Sequence, residues 1–99
     1  MPVRAEHDRA VLAELLGRDP VLHAYQLGDL DDFFWPYTSW YRQGDEVALL
    51  YHGVDTLLAL TAPQRTGKLA GLLGELAPVL PARLWARLSP GLDAAVARR

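Results

Sequence analysis

The pattern of apolar residues begins with a helix. Asp8 can cap its first turn, and Gly17 can end it in the left-handed conformation that glycine adopts readily. Between them, one face of the helix is apolar: Val11, Leu12, Leu15 and Leu16. Asp19 and Pro20, a capping residue followed by a proline, predict a second helix that ends at Gly28. We expect its buried face to consist of Val21, Leu22, Tyr25 and Leu27.

From Thr38 the pattern changes to that of strands. Three are predicted: Thr38–Gln43, Glu46–His52 and Asp55–Thr61. Gly44-Asp45 would join the first two in a two-residue hairpin turn, and Gly53-Val54 would join the second pair. The apolar residues of Val47–Tyr51 do not alternate, which predicts a strand covered on both faces or flanked on both edges. The three strands form an antiparallel meander.

A third helix and a fourth strand follow the meander. Thr61 and Gln64 have capping-box spacing, and the helix is expected to end around Pro78 to Pro81. Its apolar stripe is Leu69, Leu72, Leu73, Leu76 and Leu80. Arg83–Leu88 alternates, with Leu84, Ala86 and Leu88 on one side and Arg83, Trp85 and Arg87 on the other. A right-handed crossover makes this strand parallel to the third. Ser89-Pro90 then opens a terminal helix with Leu92 and Val96.

The predicted fold is one α+β domain over residues 1–99, with the order α-α-β-β-β-α-β-α: a three-strand antiparallel meander plus a parallel fourth strand. The fourth strand would lie at the sheet edge with unpaired backbone groups. Arg83, Trp85 and Arg87 could make that edge an interface with a partner or a second copy. The alternative is an ordinary edge strand blunted by two arginines.

Composition excludes several classes of protein. The 99 residues suffice for one core, and without cysteine there is no disulfide or thiolate metal site. A chain that is 51% hydrophobic and 22% charged is not disordered. The net charge of −2 gives no basic footprint for nucleic acid. With neither a signal peptide nor a membrane-spanning stretch predicted, we expect a cytoplasmic protein with no membrane partner.

Residues 19–41 concentrate the large aromatic side chains. They hold both phenylalanines, two of the three tryptophans and three of the four tyrosines. This favours a single wall, either the plug of a small core or the lining of a pocket. The candidate substrate-binding residues of such a pocket are Tyr25, Asp29, Phe34, Trp35, Trp40 and Tyr41. Asp29, Asp31 and Asp32 could attract an ammonium group, or they could cap a solvated turn; nothing around them supports a metal site.

Few other side chains suggest catalysis. His23 and His52 could each act as a general base, because imidazole titrates near neutral pH, although a lone histidine is more often structural or solvated. Ser39 and Ser89 have no evident histidine partner, so hydrolase chemistry is not predicted. The sequence therefore assigns no catalytic base or acid.

Six segments carry a resemblance to a known family: Asp19-Pro20, His23–Asp32, Trp40-Tyr41, Ala48–Gly53, Leu57–Leu60 and Leu88–Leu92. With them, nearly the whole chain resembles the N-terminal portion of a group of bacterial, mainly actinobacterial, GNAT-type N-acetyltransferases. The resemblance implies acetyl transfer from acetyl-CoA, the co-substrate, to an amine. It also implies a second half, missing after Arg99, that carries the acetyl-CoA loop.

The family's pyrophosphate loop reads Gln/Arg-x-x-Gly-x-Gly/Ala between a strand and a helix. Residues 64–69 occupy the matching position, with Gln64 and Gly67 at two of the specified places; Gln64, Arg65 and Gly67 are the candidate cofactor-binding residues. Leu69 stands where the family has a small residue and completes the apolar stripe, so we interpret this loop as core. The implied function is the acceptor-side wall of an acetyltransferase, inactive alone. The alternative is a non-catalytic dimerisation or partner-docking module that uses the last strand edge.

Overall fold

The computed structural model describes residues 2–52, 55–81 and 83–97, and within them five strands form one mixed sheet. In order along the chain and across the sheet, the strands are β1 (Arg4–Ala5), β2 (Thr38–Gln43), β3 (Glu46–Tyr51), β4 (Thr56–Ala59) and β5 (Trp85–Leu88). The helices are α1 (Arg9–Gly17), α2 (Ala24–Gly28), α3 (Thr66–Leu76) and α4 (Asp93–Ala97). Strands β1 to β4 are antiparallel, and β5 is parallel to β4. The predicted α+β class, meander and parallel strand are confirmed; β1 was not predicted.

The β2–β3 hairpin follows the predicted register. Gln43 lies opposite Glu46, and Gly44 takes a φ of 60° in the two-residue turn between them. A side chain is strained at that φ, so glycine is the residue that this turn requires. The predicted turn at Gly53-Val54 lies outside the described residues.

Strand β3 is apolar along its length because helices cover both of its faces. Val47 and Leu49 pack with α1 on one side of the sheet. Ala48 and Leu50 pack with α3 and α4 on the other side. Because β3 also lies between β2 and β4, both predicted explanations of its non-alternating pattern are confirmed.

Helix α1 begins as predicted but ends differently. The Asp8 carboxylate accepts the backbone N–H groups of Ala10 at 2.9 Å and Val11 at 3.4 Å. Gly17 is the last helical residue, yet its φ is not positive, so the predicted left-handed termination is wrong. The chain leaves α1 through Arg18 in the right-handed conformation and continues into turns, so no reversal of backbone handedness is needed.

The second helix is shorter than predicted, and its buried face is different. Asp19 starts a turn by accepting the N–H of Leu22 at 3.3 Å, and the helix itself begins only at Ala24. Val21 is 88% exposed and Tyr25 is 74% exposed, so the prediction that they are buried is wrong. The late start changes the face that the helix presents: Gln26 is buried instead, and its Nε2 donates to the carbonyl oxygen of Leu58 at 3.3 Å.

The leucine stripe of α3 is buried as predicted, but the helix begins later. Thr61 forms no capping box with Gln64. Its backbone N–H instead donates to Ser89 Oγ at 2.9 Å, and Ser89 Oγ donates to the Thr61 carbonyl at 3.1 Å. A 3₁₀ turn over Pro63–Arg65 then leads into α3. In the described part of the chain, no helix has the length and apolarity to cross a membrane.

The two faces of the sheet are covered unequally. Along β4 and β5, Leu57, Ala59 and Leu88 turn toward α3 and α4, where they pack in the core. Thr56, Leu58, Trp85 and Arg87 turn toward the face of α1 and α2, because alternate strand residues point to opposite faces. Trp85 is 73% exposed there. Helices α1 and α2 therefore leave β5 uncovered on their side of the sheet.

Candidate ligand-binding groove

A groove of about 310 Å³ lies on the side of the sheet that carries α1 and α2. Tyr25, Asp29 and Phe34 line it from α2 and the turns that follow. Arg87 of β5 lines the opposite wall. Its remaining lining comes from the ends of β3 and β4: Tyr51, Thr56 and Leu58. We call this depression the groove.

The groove exists because α2 is short and leaves β5 uncovered. The hydrogen bond from Gln26 to Leu58 holds α2 over β4. The backbone pairing of Leu58 with Arg87 then fixes the distance from α2 to the far wall. Tyr25, directly before Gln26, consequently stands on the open side of the helix.

Of the three clustered aspartates, Asp29 is the one that lines the groove. Asp32 forms an ion pair with Arg9, and Asp31 Oδ1 accepts the backbone N–H of Phe33 at 2.8 Å. Among the described residues, the Asp29 carboxylate has no hydrogen-bond or ion-pair partner. Burial raises the pKa of Asp29, because removal from water disfavours the charged form. A cationic ligand in the groove would offset that cost.

Arg87 is also unpaired within the described residues, which distinguishes it from several other arginines. Arg42 contacts Glu6 at 3.1 Å, Arg18 contacts Asp45 at 3.2 Å, and Arg65 contacts Glu46 at 2.7 Å. These three contribute to the fold. Arg87 projects from β5 beside Leu58 and lines the groove without a carboxylate partner.

The other predicted substrate-binding residues lie outside the groove. Trp35 and Trp40 stack with ring centroids 6.3 Å apart, and Trp40 is 2% exposed. Tyr41 packs against the α3 cluster on the opposite face, since it follows Trp40 directly in β2. The prediction of one aromatic wall is therefore wrong. Trp35 and Trp40 pack with the core residues of α1, and Tyr41 packs on the α3 and α4 face of the sheet. Tyr25 and Phe34 line the groove.

The predicted phosphate loop lies in a different depression, beside the β2–β3 hairpin. Gln64 is exposed in the 3₁₀ turn, and Arg65 is held by the buried Glu46 carboxylate. Gly67 lies in the first turn of α3 with open space where a Cβ would stand. Leu69 is fully buried, so its predicted place in the core is confirmed. One guanidinium nitrogen of Arg65 is engaged by Glu46 at 2.7 Å.

Both histidines have partners that the sequence did not predict. Ser39 Oγ and His52 Nε2 are 2.6 Å apart, because the β2–β3 register brings the ends of these strands together. The expectation that Ser39 lacks a histidine partner is wrong. No carboxylate among the described residues orients His52, so the pair lacks the third member of a hydrolase triad. His23 contacts the carbonyl oxygens of Asp19 at 3.2 Å and Leu60 at 3.1 Å, which ties the turn after α1 to the end of β4.

The predicted interface residues follow the open edge of the sheet. Arg83 and Trp85 are exposed, and Arg83 precedes β5 because the strand begins at Trp85. Arg87 is exposed as well, but it also belongs to the groove. No group of three metal-ligating side chains occurs in the part of the chain that the structure describes.

Four residues near the groove were not predicted as functional: Gln26, Tyr51, Thr56 and Leu58. The alternation of β3 and β4 places Tyr51, Thr56 and Leu58 on one face, and this signal could have found them. Gln26 had no such signal, because a glutamine in an apolar context reads as solvent-facing. Compared with protein-family models, curated proteins and solved structures, the chain matches none.

Proposed function

We propose that this chain forms the acceptor-side wall of a GNAT-type N-acetyltransferase whose acetyl-CoA site lies in a further half of the enzyme. The observation that carries the proposal is the convergence of Tyr25, Asp29 and Phe34, three of the six predicted substrate-binding residues, in one groove. Support also comes from the meander and parallel strand that the family resemblance implies.

In this proposal, Asp29 binds the ammonium form of the acceptor. The rings of Tyr25 and Phe34 contact the apolar part of the acceptor. The amine must then lose a proton so that its nitrogen can attack the thioester carbonyl carbon of acetyl-CoA. As the carbon–nitrogen bond forms and the carbon–sulfur bond breaks, the nitrogen gives up a second proton and the CoA thiolate takes up a proton. The proposal assigns neither the base nor the acid of these proton transfers to a residue of this chain.

An amine titration tests the acceptor side. We expect n-butylamine, protonated at pH 7, to shift the backbone amide NMR signals of groove residues in the ¹⁵N-labelled chain. Asp29→Asn should weaken this binding by roughly threefold or more, because it removes the counter-charge. Asp55→Asn is the matched control, since Asp55 is exposed outside the groove. Equal binding by the chain and by Asp29→Asn would contradict the proposal.

The donor side is tested by calorimetry and by sequence. We expect acetyl-CoA to bind this chain without micromolar affinity, because Arg65 is engaged by Glu46 and Leu69 fills the position of a small residue. Micromolar affinity would overturn the assignment of the donor site to a further half.

The nucleotide sequence downstream of the Arg99 codon should encode an in-frame Arg/Gln-x-x-Gly-x-Gly segment. A stop codon there would favour the second candidate below.

The second candidate is a docking module that uses the edge of β5. The observation that favours it is Trp85, 73% exposed on a strand that has one neighbour in the described sheet. Exposed edge strands pair readily with other chains. A dimer should then dissociate on dilution with a change in Trp85 fluorescence, and Trp85→Ser should abolish it. Val79→Ser, which alters an exposed residue elsewhere, should not. A monomer at high concentration would count against this candidate.

A further inference from the structure

We infer that the groove binds a zwitterion: a small ligand with an ammonium group, a carboxylate group and an apolar body, as in an amino acid. The inference rests on the proposed function, which assigns the ammonium to Asp29, and adds that the acceptor also carries a carboxylate. Arg87 on the opposite wall supplies the second contact.

The two charges of the groove face an open space. Neither Asp29 nor Arg87 has an ion-pair partner within the described residues, and they do not pair with each other. Asp29 lies at the end of α2, and Arg87 lies on β5. Here α2 is tied to β4 by Gln26, and β5 is tied to β4 by its backbone ladder, so the two walls stay apart. A ligand with both charges can bridge them.

A guanidinium in the groove also disfavours a ligand that carries only a positive charge. A plain amine bound at Asp29 lies in the field of Arg87, with no group to neutralise it. A carboxylate on the same ligand converts that repulsion into a charge-assisted, bidentate contact. Arg87 therefore selects among amines.

The remaining lining fits an apolar body of limited size. The rings of Tyr25, Phe34 and Tyr51 and the side chain of Leu58 line the groove between the charges. Its volume of about 310 Å³ lies at the lower end of the range of small-molecule sites. An aromatic or branched amino acid matches this lining better than glycine does.

Three ligands of similar shape separate the contributions of the two charges to binding. L-phenylalanine carries both charges, phenethylamine carries only the ammonium, and 3-phenylpropionate carries only the carboxylate. Each is titrated into the ¹⁵N-labelled chain at pH 7, with groove amide shifts as the readout. We expect L-phenylalanine to bind about threefold to tenfold more tightly than either single-charge ligand, because it forms both charge-assisted contacts.

Two groove variants and one control assign the contacts. Arg87→Gln should weaken L-phenylalanine and 3-phenylpropionate but strengthen phenethylamine. Asp29→Asn should weaken L-phenylalanine and phenethylamine but not 3-phenylpropionate. Arg83→Gln, a charge loss just before the same strand and outside the groove, should change none of the three affinities. Dispersed NMR spectra establish that each variant is folded.

The outcomes separate this inference from the proposed function. If phenethylamine binds through Asp29 as tightly as L-phenylalanine, and Arg87→Gln changes neither, the zwitterion inference is overturned and the amine-acceptor proposal stands. If no ligand shifts the groove amides, both are overturned. If L-phenylalanine binds more tightly than both single-charge ligands and responds to both variants, the inference is supported.

Discussion

The two faces of the sheet are built from similar numbers of helices but are closed to different extents. On the α3 and α4 face, leucines fill the space over β3 and β4, and the buried Glu46 at its margin is neutralised by Arg65. On the α1 and α2 face, the core covers β2 and β3 but leaves β5 open, with Asp29 and Arg87 unpaired at the boundary among the described residues. The two faces therefore differ in how much of the sheet their helices cover, and the uncovered part is the surface available to a ligand.

The largest expected effect is a loss of stability on creating a cavity in the core of the α3 and α4 face. Leu72 is fully buried in the α3 stripe, so Leu72→Ala should lower the free energy of unfolding by about 3 kcal/mol through lost burial and a residual cavity. Val79→Ala, at a residue 69% exposed just beyond α3, should change it by less than about 0.5 kcal/mol. Urea denaturation measures both. A loss below about 1 kcal/mol for Leu72→Ala would mean that this face is not closed.

The second effect concerns the charged margin of the same face. Arg65→Met should lower the free energy of unfolding by about 2 kcal/mol, because Glu46 is 6% exposed and would lose its guanidinium partner. The double variant Arg65→Met with Glu46→Met should recover much of that loss. The double-mutant cycle is read by urea denaturation. If the double variant is no more stable than Arg65→Met, the loss does not come from an unpaired Glu46.

The closed face could be predicted from the sequence, whereas the groove could not. Leu69, Leu72, Leu73 and Leu76 repeat at helical spacing, and helix periodicity alone places them on one face. The orientation of α2 depends instead on contacts with residues distant in the chain: Gln26 donates to the carbonyl oxygen of Leu58, and His23, directly before the helix, contacts that of Leu60. A five-residue helix is too short for periodicity to determine which side faces the core.

The far wall of the groove depends on register, which local sequence does not encode. Arg87 reaches the groove only because Leu58 pairs with it across the β4–β5 ladder. The alternation of Arg83–Leu88 predicted the face that Arg87 shares with Trp85, but not the neighbour of either residue. Local sequence also does not show which of the three aspartates is unpaired, because Asp32 forms its ion pair with Arg9, a residue distant in the chain.

The third effect, on the open face, should be small for stability. Tyr25 is 74% exposed, so Tyr25→Ala should change the free energy of unfolding by less than about 0.5 kcal/mol. The same substitution should weaken L-phenylalanine binding in the NMR titration, because the groove loses an aromatic wall. Val21→Ala, at a residue 88% exposed on the same stretch of chain, is the control and should change neither quantity. A large loss of stability for Tyr25→Ala would make its ring part of the core.

The smallest effect is a difference in pH dependence between two carboxylates. Burial raises the pKa of Asp29 above its ordinary value of 3.8, so its relative contribution to stability is full below that pH and is lost as pH rises through the folded pKa. Asp29→Asn should therefore raise the free energy of unfolding, relative to the unsubstituted chain, by more at pH 7 than at pH 3. The gain should be less than about 1 kcal/mol, because the part-exposed group is screened by solvent.

The pKa of Glu6, beside β1, is shifted in the opposite direction, so its contribution to stability depends on pH with the opposite sign. The backbone N–H of Asp8, followed by Arg42, lowers the pKa of Glu6 below 4.5, so its contribution is present above that pH and is lost as pH falls through the folded pKa. Glu6→Gln should thus destabilise the chain at pH 7 more than at pH 3, whereas Asp29→Asn should stabilise it at pH 7 more than at pH 3. Urea denaturation at both pH values measures the two slopes. Slopes of the same sign would mean that Asp29 is not an unpaired, partly buried carboxylate, and the groove would lose its candidate ammonium site.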